Sequence, residues 1–415
     1  MSRVQAGRRL APITRAVWRD QGRPAVAVLM ACLTFLGAAV AALQSDASTI
    51  SARSARAADA ASMQQLGFDA RAHVGTLRDN AAFREWFAVL EESAWAGTEV
   101  PGIDEAEASY RADLRQIDAD LAEWIQTRSA LLQAPYFDEA TYLVDFNAYG
   151  ADTRQASLLA TERARAGNEV ADAWQSKANS YVTILTTLAV AVFFLGLAGT
   201  VATRARGILI ATGVLLGGVA LLATVALATG PVRVVPEEAI SAIVRSQTEL
   251  ERAGNGDPVY LSETTRPIYA SSIAQAASAV RLDPLNVAAH RAEASANLFF
   301  ANARIFAAEG PSADTDALLR VAIRAYERAV GLDPTDPSTW WNLGFSLYLV
   351  GDAGASIGAT QEVIDRTPNQ FVPYVNRAVA EAAAGRRDAA DRSIEEAVVV
   401  AASTNLATNG FFFGR

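Results

Sequence analysis

The sequence predicts an all-α membrane protein: three transmembrane helices, an extracytoplasmic helical bundle and a C-terminal solenoid of helix pairs. Three observations carry this. Pro24 to Leu43, Tyr181 to Ala202 and Gly207 to Gly230 hold no Asp, Glu, Lys, Arg or His, so each can cross a hydrocarbon core of about 30 Å without burying a charge. Residues 44–180 set apolar side chains at steps of three and four, not in the alternation of strands. Beyond Gly230, Leu282-Asp283-Pro284 recurs as Leu332-Asp333-Pro334, and Arg366-Thr367-Pro368 follows 34 residues later, the mark of a repeated unit.

The first element is the basic start, residues 1–23, where Arg3, Arg8, Arg9, Arg15, Arg19 and Arg23 face a single Asp20. The link between the second and third apolar stretches, residues 203–206, holds Arg204 and Arg206 and no acid. By the positive-inside rule both are cytoplasmic. The expected topology therefore has spans at 24–43, 181–202 and 207–230, with residues 44–180 and 231–415 extracytoplasmic. The protein is then multi-pass in the plasma (inner) membrane, its N-terminus cytoplasmic and its C-terminus extracytoplasmic. The chain's net charge is −9, and because the two basic pieces carry +7 the outward portions hold −16 between them. Two other readings of the first stretch stay open. Ala39-Val40-Ala41 after an Arg-rich start also fits a cleaved secretory signal, and Leu29-Met30-Ala31-Cys32 looks like a lipid-attachment box, although Leu33 to Leu43 stays apolar. Within the membrane, Gly213 and Gly217 form a GxxxG step and Gly37 and Ala41 a small-xxx-small step, sites of close helix packing inside the hairpin or between copies.

In residues 44–180 the clearest helix begins at Asp104, with Glu107 three residues on. Tyr110, Leu114, Ile117, Leu121, Trp124 and Leu131 then form a heptad seam broken by Arg128. Ala81 to Ala96 carries a second aromatic face of Phe83, Trp86, Phe87, Leu90 and Trp95, and Ser48–Leu66 and Thr153–Ser180 are rich in alanine and lack proline. The simplest assembly is an antiparallel bundle, helical throughout, whose first and last helices continue membrane helices. In layout it resembles the ligand-sensing bundles of bacterial membrane receptors. The cytoplasmic pieces, 1–23 and 203–206, leave no room for a kinase or cyclase, so any signal would need a partner.

Composition removes several chemistries. Lys177 is the only lysine, so no Walker A loop exists, and His73, His290 and Cys32 are the only His and Cys. No cofactor or metal site is expected. The one GxSxG, Gly354 to Gly358, follows no strand and precedes no histidine. An acidic exterior does not suit nucleic acid.

The segment Pro337–Gln370 places Trp340, Asn342, Leu343, Gly344, Tyr348, Gly351 and Pro368 in the register of the tetratricopeptide repeat, which it resembles. Phe371–Thr404 follows with Tyr374, Asn376, Ala378, Gly385, Ala390 and Ala397, and an earlier unit with Ala322, Tyr326, Ala329 and Pro334. That earlier unit is spaced by 50 residues, which points to a longer first helix and a loop at Gly310-Pro311-Ser312. A half unit, Pro267–Pro284 with Ala276 and Ala279, pairs with Pro236–Ala253, giving three and a half repeats. Small residues let paired helices approach, and proline ends each unit.

The resemblance implies a concave groove lined by Ser338, Trp341, Asn342, Phe345, Tyr348 and Leu349, then Val372, Val375, Asn376, Val379, Ala382 and Ala383. It lacks the Lys and Arg with which family members grip acidic chain ends, so the expected ligand is an apolar or aromatic peptide. The tail, Gly410-Phe411-Phe412-Phe413-Gly414-Arg415, is apolar enough to occupy such a groove, in cis or from another copy. The expected function is a membrane-anchored scaffold, not an enzyme, that binds a protein partner on the extracytoplasmic face. The alternative is a sensory subunit of a multi-protein membrane receptor, with ligand binding in residues 44–180.

Overall fold

A computed structural model describes residues 10–98, 102–201, 204–307 and 309–403, with side chains described from Pro24 onward. The first nine residues and the Phe-rich tail lie outside the described residues. The chain forms helices α1 (Leu10–Ala96), α2 (Glu105–Arg128), α3 (Phe146–Thr200) and α4 (Arg204–Thr229). Eight shorter helices follow: α5 (Glu237–Arg252), α6 (Arg266–Leu282), α7 (Val287–Phe306), α8 (Ala313–Leu332), α9 (Pro337–Leu349), α10 (Ala353–Arg366), α11 (Val372–Ala383) and α12 (Arg387–Ser403). They divide into two units, Met1–Ala61 with Arg163–Val234 and Ser62–Glu162 with Val235–Arg415.

In the first unit, α1, α3 and α4 are each long and apolar enough to cross a membrane. Val40, Ala191 and Leu195 are fully buried between them while Phe35, Phe193 and Leu222 face outward, the pattern expected of a bundle in lipid. Gly213 sits against α3, where a Cβ would stand 2.8 Å from Leu195 Cγ, and Gly217 faces Leu33 of α1 at 2.7 Å. Gly37 has open space around it, and Ala41 is exposed. Past the apolar stretches α1 and α3 stay together because alanines tile their contact. At Gly167 they touch backbone to backbone, its absent Cβ only 2.9 Å from Ala58 Cβ. Lys177 lies over Trp174 and donates through Nζ to Gly230 O at 2.9 Å, capping the end of α4 with its positive charge.

The second unit begins with the far part of α1, α2 and the start of α3. Asp104 accepts from Glu107 N at 2.8 Å and fixes the start of α2. Two expectations are corrected here. The segment is not helical throughout: β1 (Phe137–Asp138) pairs antiparallel with β2 (Leu143–Val144), closed by Asp138, which accepts from Ala140 N and Thr141 Oγ1, and by Tyr142 at φ 55°. Strands of two residues are too short to show an alternation. Nor does the α2 part of the heptad seam form the core, although Leu114 is half-buried and Leu131, just past the helix, is fully buried. The buried face is Asp118, Ala122 and Ile125, packed with Trp86, Val89, Leu132 and Phe137, while Tyr110, Ile117, Leu121 and Trp124 are exposed.

A buried polar pair ties α1 to α3: the Tyr149 hydroxyl donates to Asp79 Oδ2 at 2.6 Å. Burial, then the Asp79 carboxylate, pushes this hydroxyl up to about 12, from an ordinary value near 10. A raised folded-state value means that stability is full below about pH 10 and falls as pH rises toward 12. Between pH 9 and 11, Tyr149→Phe is expected to lose less thermal stability than the native protein; equal losses would dissociate the pair from alkaline unfolding.

The remaining helices pair as α5/α6, α7/α8, α9/α10 and α11/α12, four pairs rather than three and a half, because α5 packs fully against α6 through Ala242, Ile243, Ala276 and Ala279. α7 has 20 residues against 13 in α9, which accommodates the long spacing. Each joint repeats one device. The proline ending one pair offers its carbonyl to a ring six residues on: His290 Nε2 to Pro284 O at 2.9 Å, Trp340 Nε1 to Pro334 O at 2.9 Å, and Tyr374 OH to Pro368 O at 3.1 Å. Asn286 and Asp336 cap the helices that follow the first two prolines. Within the same unit, Asp152 of α3 binds Arg252 of α5 and accepts from Tyr136 OH at 2.8 Å, and Arg154 reaches Glu251 at 3.3 Å.

Candidate functional site

The joint between the last two helix pairs holds a cavity of about 120 Å³ lined by Trp341, Gly344, Phe345 and Tyr348 of α9, Ser356, Thr360 and Val363 of α10, and Asn376 and Val379 of α11. Its existence follows from one substitution within the repeat. Thr360 stands 34 residues after Tyr326 and holds the same place, eight residues before the closing proline. At the earlier joint Tyr326 occupies this place. Its ring is buried, its hydroxyl meets Ser295 Oγ at 2.9 Å, and Asn342 turns toward it. Burial pushes that hydroxyl well above the usual tyrosine range. At the later joint Thr360 is too short to fill the space, and its hydroxyl donates back to Ser356 O at 2.8 Å. Asn376, the counterpart of Asn342, therefore has no hydrogen-bond partner among the described residues and is half-buried at the cavity wall.

The groove residues expected from sequence thus separate. Trp341, Phe345, Tyr348, Asn376 and Val379 come together around the cavity. Asn342 is engaged with the preceding pair, Ser338 donates to Asp336 and accepts from Arg291 Nη2 at 3.1 Å, and Leu349 packs on the core. Val372 is exposed and Val375 half-buried, both outside the cavity lining. Sequence reasoning missed Thr360 and Val363, which come from the second helix. The signal for Thr360 was the threonine standing in register with Tyr326.

The polar chemistry of the cavity is simple. Ser356, the central residue of the GxSxG match, donates to Gly344 O at 2.9 Å and locks α10 to α9. Gly344 admits this approach, since a Cβ there would lie 3.1 Å from Thr360 Oγ1. No lining residue is charged. The cavity therefore offers apolar walls of the size that holds one benzene-like side chain, with one amide free to bond a backbone.

A second, wider cleft of about 460 Å³ lies where the hairpin meets the first helix pair, walled by Tyr136, Phe137, Leu143 and Phe146 on one side and Val259 and Tyr260 on the other, beside Arg252. Among the described residues no cluster of His, Cys, Asp or Glu is arranged to hold a metal ion.

No protein-family model matches the chain. No curated protein matches it either. Among solved structures the chain is similar to one titled "Crystal structure of MamA protein", at 18% sequence identity, 42% coverage of this chain, 90% coverage of that one and a TM-score of 0.29, too loose a likeness to carry any residue's role across.

Proposed function

We propose that this chain is a membrane-anchored scaffold whose C-terminal array captures an apolar peptide segment of a partner protein on the extracytoplasmic face. The observation that supports it is the Thr360 cavity with the free Asn376 amide at its wall. The Asn376 amide at the wall is open to water and can exchange it for a backbone partner, and a peptide supplies both a backbone for Asn376 and a side chain for the cavity. Trp341, Phe345 and Tyr348 present aromatic area of the kind that dominates binding energy at interfaces. With no charge in the lining, the peptide is recognised along its length, without a grip on a terminal carboxylate.

Two substitutions test this. Asn376→Ala is expected to weaken binding by about 1–3 kcal/mol, roughly 5- to 150-fold. Thr360→Tyr should fill the cavity as Tyr326 fills its own and abolish binding without lowering the melting temperature. Peptides selected from a random library on the full-length protein should carry one Leu, Met or Phe anchor. Selected peptides that bind Thr360→Tyr as tightly as the native protein would remove the cavity from consideration. Asn342→Ala, by contrast, is expected to reduce stability and to spare binding.

The 460 Å³ cleft favours a second reading, a sensory subunit of a multi-protein receptor whose ligand sits against residues 135–147. A small molecule that raises the melting temperature of the native protein but not of a Leu143→Asp variant would select it.

A further inference from the structure

The face of α2 that its sequence marks for a core is turned to solvent. Tyr110 is 59% exposed, Ile117 60% and Trp124 50%, in heptad steps with Leu121. Single exposed apolar residues are ordinary, whereas a contiguous row of this kind marks an interaction surface. The seam sits about a quarter turn round the helix from the packed face of Asp118, Ala122 and Ile125.

Charge identifies what fits it. Asp113 and Asp120 run along the solvent edge of the seam, with Glu105 and Glu123 beyond, all exposed. Two of the three arginines of α2 lie away from this edge, and the third closes the seam. Arg111 pairs with Glu107 at 2.8 Å and lies over Trp95 at 5.4 Å, Arg115 donates to Arg111 O, and Arg128 rests on the Trp124 ring at 4.1 Å at the far end of the seam. Between Asp113 and Asp120 the free edge is therefore acidic, with Arg128 closing its far end.

We infer that this seam is a docking surface for an amphipathic helix of a partner protein, one with apolar residues at heptad spacing and Lys or Arg along the edge that meets Asp113 and Asp120. Helix-on-helix pairing buries the alternate three- and four-residue steps, and complementary edge charges set its partner and orientation. A second copy of α2 does not fit. Antiparallel pairing would set Asp113 against Asp120 of the other copy, and parallel pairing needs the edge of Asp118 and Ile125, which is already packed. An anionic bilayer is repelled by the same acidic edge. This surface is independent of the Thr360 cavity, and occupation of both would make the protein a bridge between two partners.

The probe is a synthetic 24-residue helix with Leu at the two core positions of each heptad and Lys at the flanking ones, titrated against full-length protein in a neutral detergent. It is expected to bind at least tenfold more tightly than its Glu-flanked analogue, and Asp113→Lys with Asp120→Lys should reverse that order. Ile117→Asp should abolish binding of the Lys-flanked helix although it adds an acid, with the melting temperature unchanged; unaltered binding would mean charge attraction alone and would overturn the proposal. In a Cys32→Ser background, rapid disulfide formation between copies of an Ile117→Cys variant would assign the seam to a second copy instead. Binding to phosphatidylglycerol vesicles that depends on Trp124 would assign it to lipid.

Discussion

Replacing Gly256 by valine is expected to destabilise the repeat array by about 2–5 kcal/mol, the sum of backbone strain and overpacking. Gly256 lies in the link between α5 and α6 at φ +82°, a left-handed conformation that side chains resist. Crowding adds to strain. A Cβ there would stand 2.8 Å from Phe299 O and 3.0 Å from Phe299 Cα, backbone atoms of α7 that cannot swing aside. The loop is also held by its own bonds: Gly256 N donates to the Tyr269 hydroxyl at 2.9 Å, and Gly256 O accepts from Asn302 Nδ2 at 3.0 Å. Tyr269 in turn donates to Ala253 O at 2.9 Å and stacks on Phe300 at 4.9 Å. Pushing the loop outward therefore breaks the joint of the first helix pair with α7. Set against the roughly 5–15 kcal/mol that holds a typical domain, this is a large fraction. Gly385→Ala is the control, since Gly385 has φ +75° but nothing within 4 Å of its missing Cβ. It isolates strain, about 1–2 kcal/mol. Melting of the full-length protein should separate the two variants clearly; equal melting temperatures would show that the link yields and that crowding at Phe299 costs nothing.

The parts legible in sequence are those where geometry permits few residue types. Close approach of paired helices demands small side chains at fixed spacing, so the repeat register marks Ala276, Ala279, Ala322, Ala329 and Ser356, and all are buried. Helix starts were legible at Asp104 and Asp336 because a capping carboxylate accepts backbone N–H groups that otherwise lack partners. Periodicity, by contrast, tells which side chains share a face and leaves open what covers that face. On α2 the strongest apolar row is exposed, and the row that packs includes Asp118 and Ala122, which look polar or neutral in sequence. The joint role of His290 is not legible in sequence because it differs in type from Trp340 and Tyr374, although all three rings meet the same kind of proline carbonyl. Likewise the groove could be placed by register, but the difference between Asn342 and Asn376 could not. It depends on whether the previous pair sends in a tyrosine or a threonine.

A cysteine at Val259, in a Cys32→Ser background, is expected to react fully with a membrane-impermeant maleimide on intact spheroplasts, and one at Ala205 only after lysis. Val259 is 83% exposed, so access is decided by sidedness and not by burial. Two arguments fix the expected outcome. The first is parity: an even number of crossings separates the bundle from the array, and the ion pairs of Asp152 with Arg252 and Arg154 with Glu251 require both on one side. The second is charge, which decides which side that is. Six arginines precede the first apolar stretch and two stand at the start of α4, against one acid, while the net negative charge lies in the other portions; positive flanks are retained in the cytoplasm. Inverting the protein would carry those arginines outward and leave the acidic portions inside. Labelling at Ala205 before lysis with Val259 protected would therefore reverse the topology, and with it the proposal that the array meets its partner outside the cell.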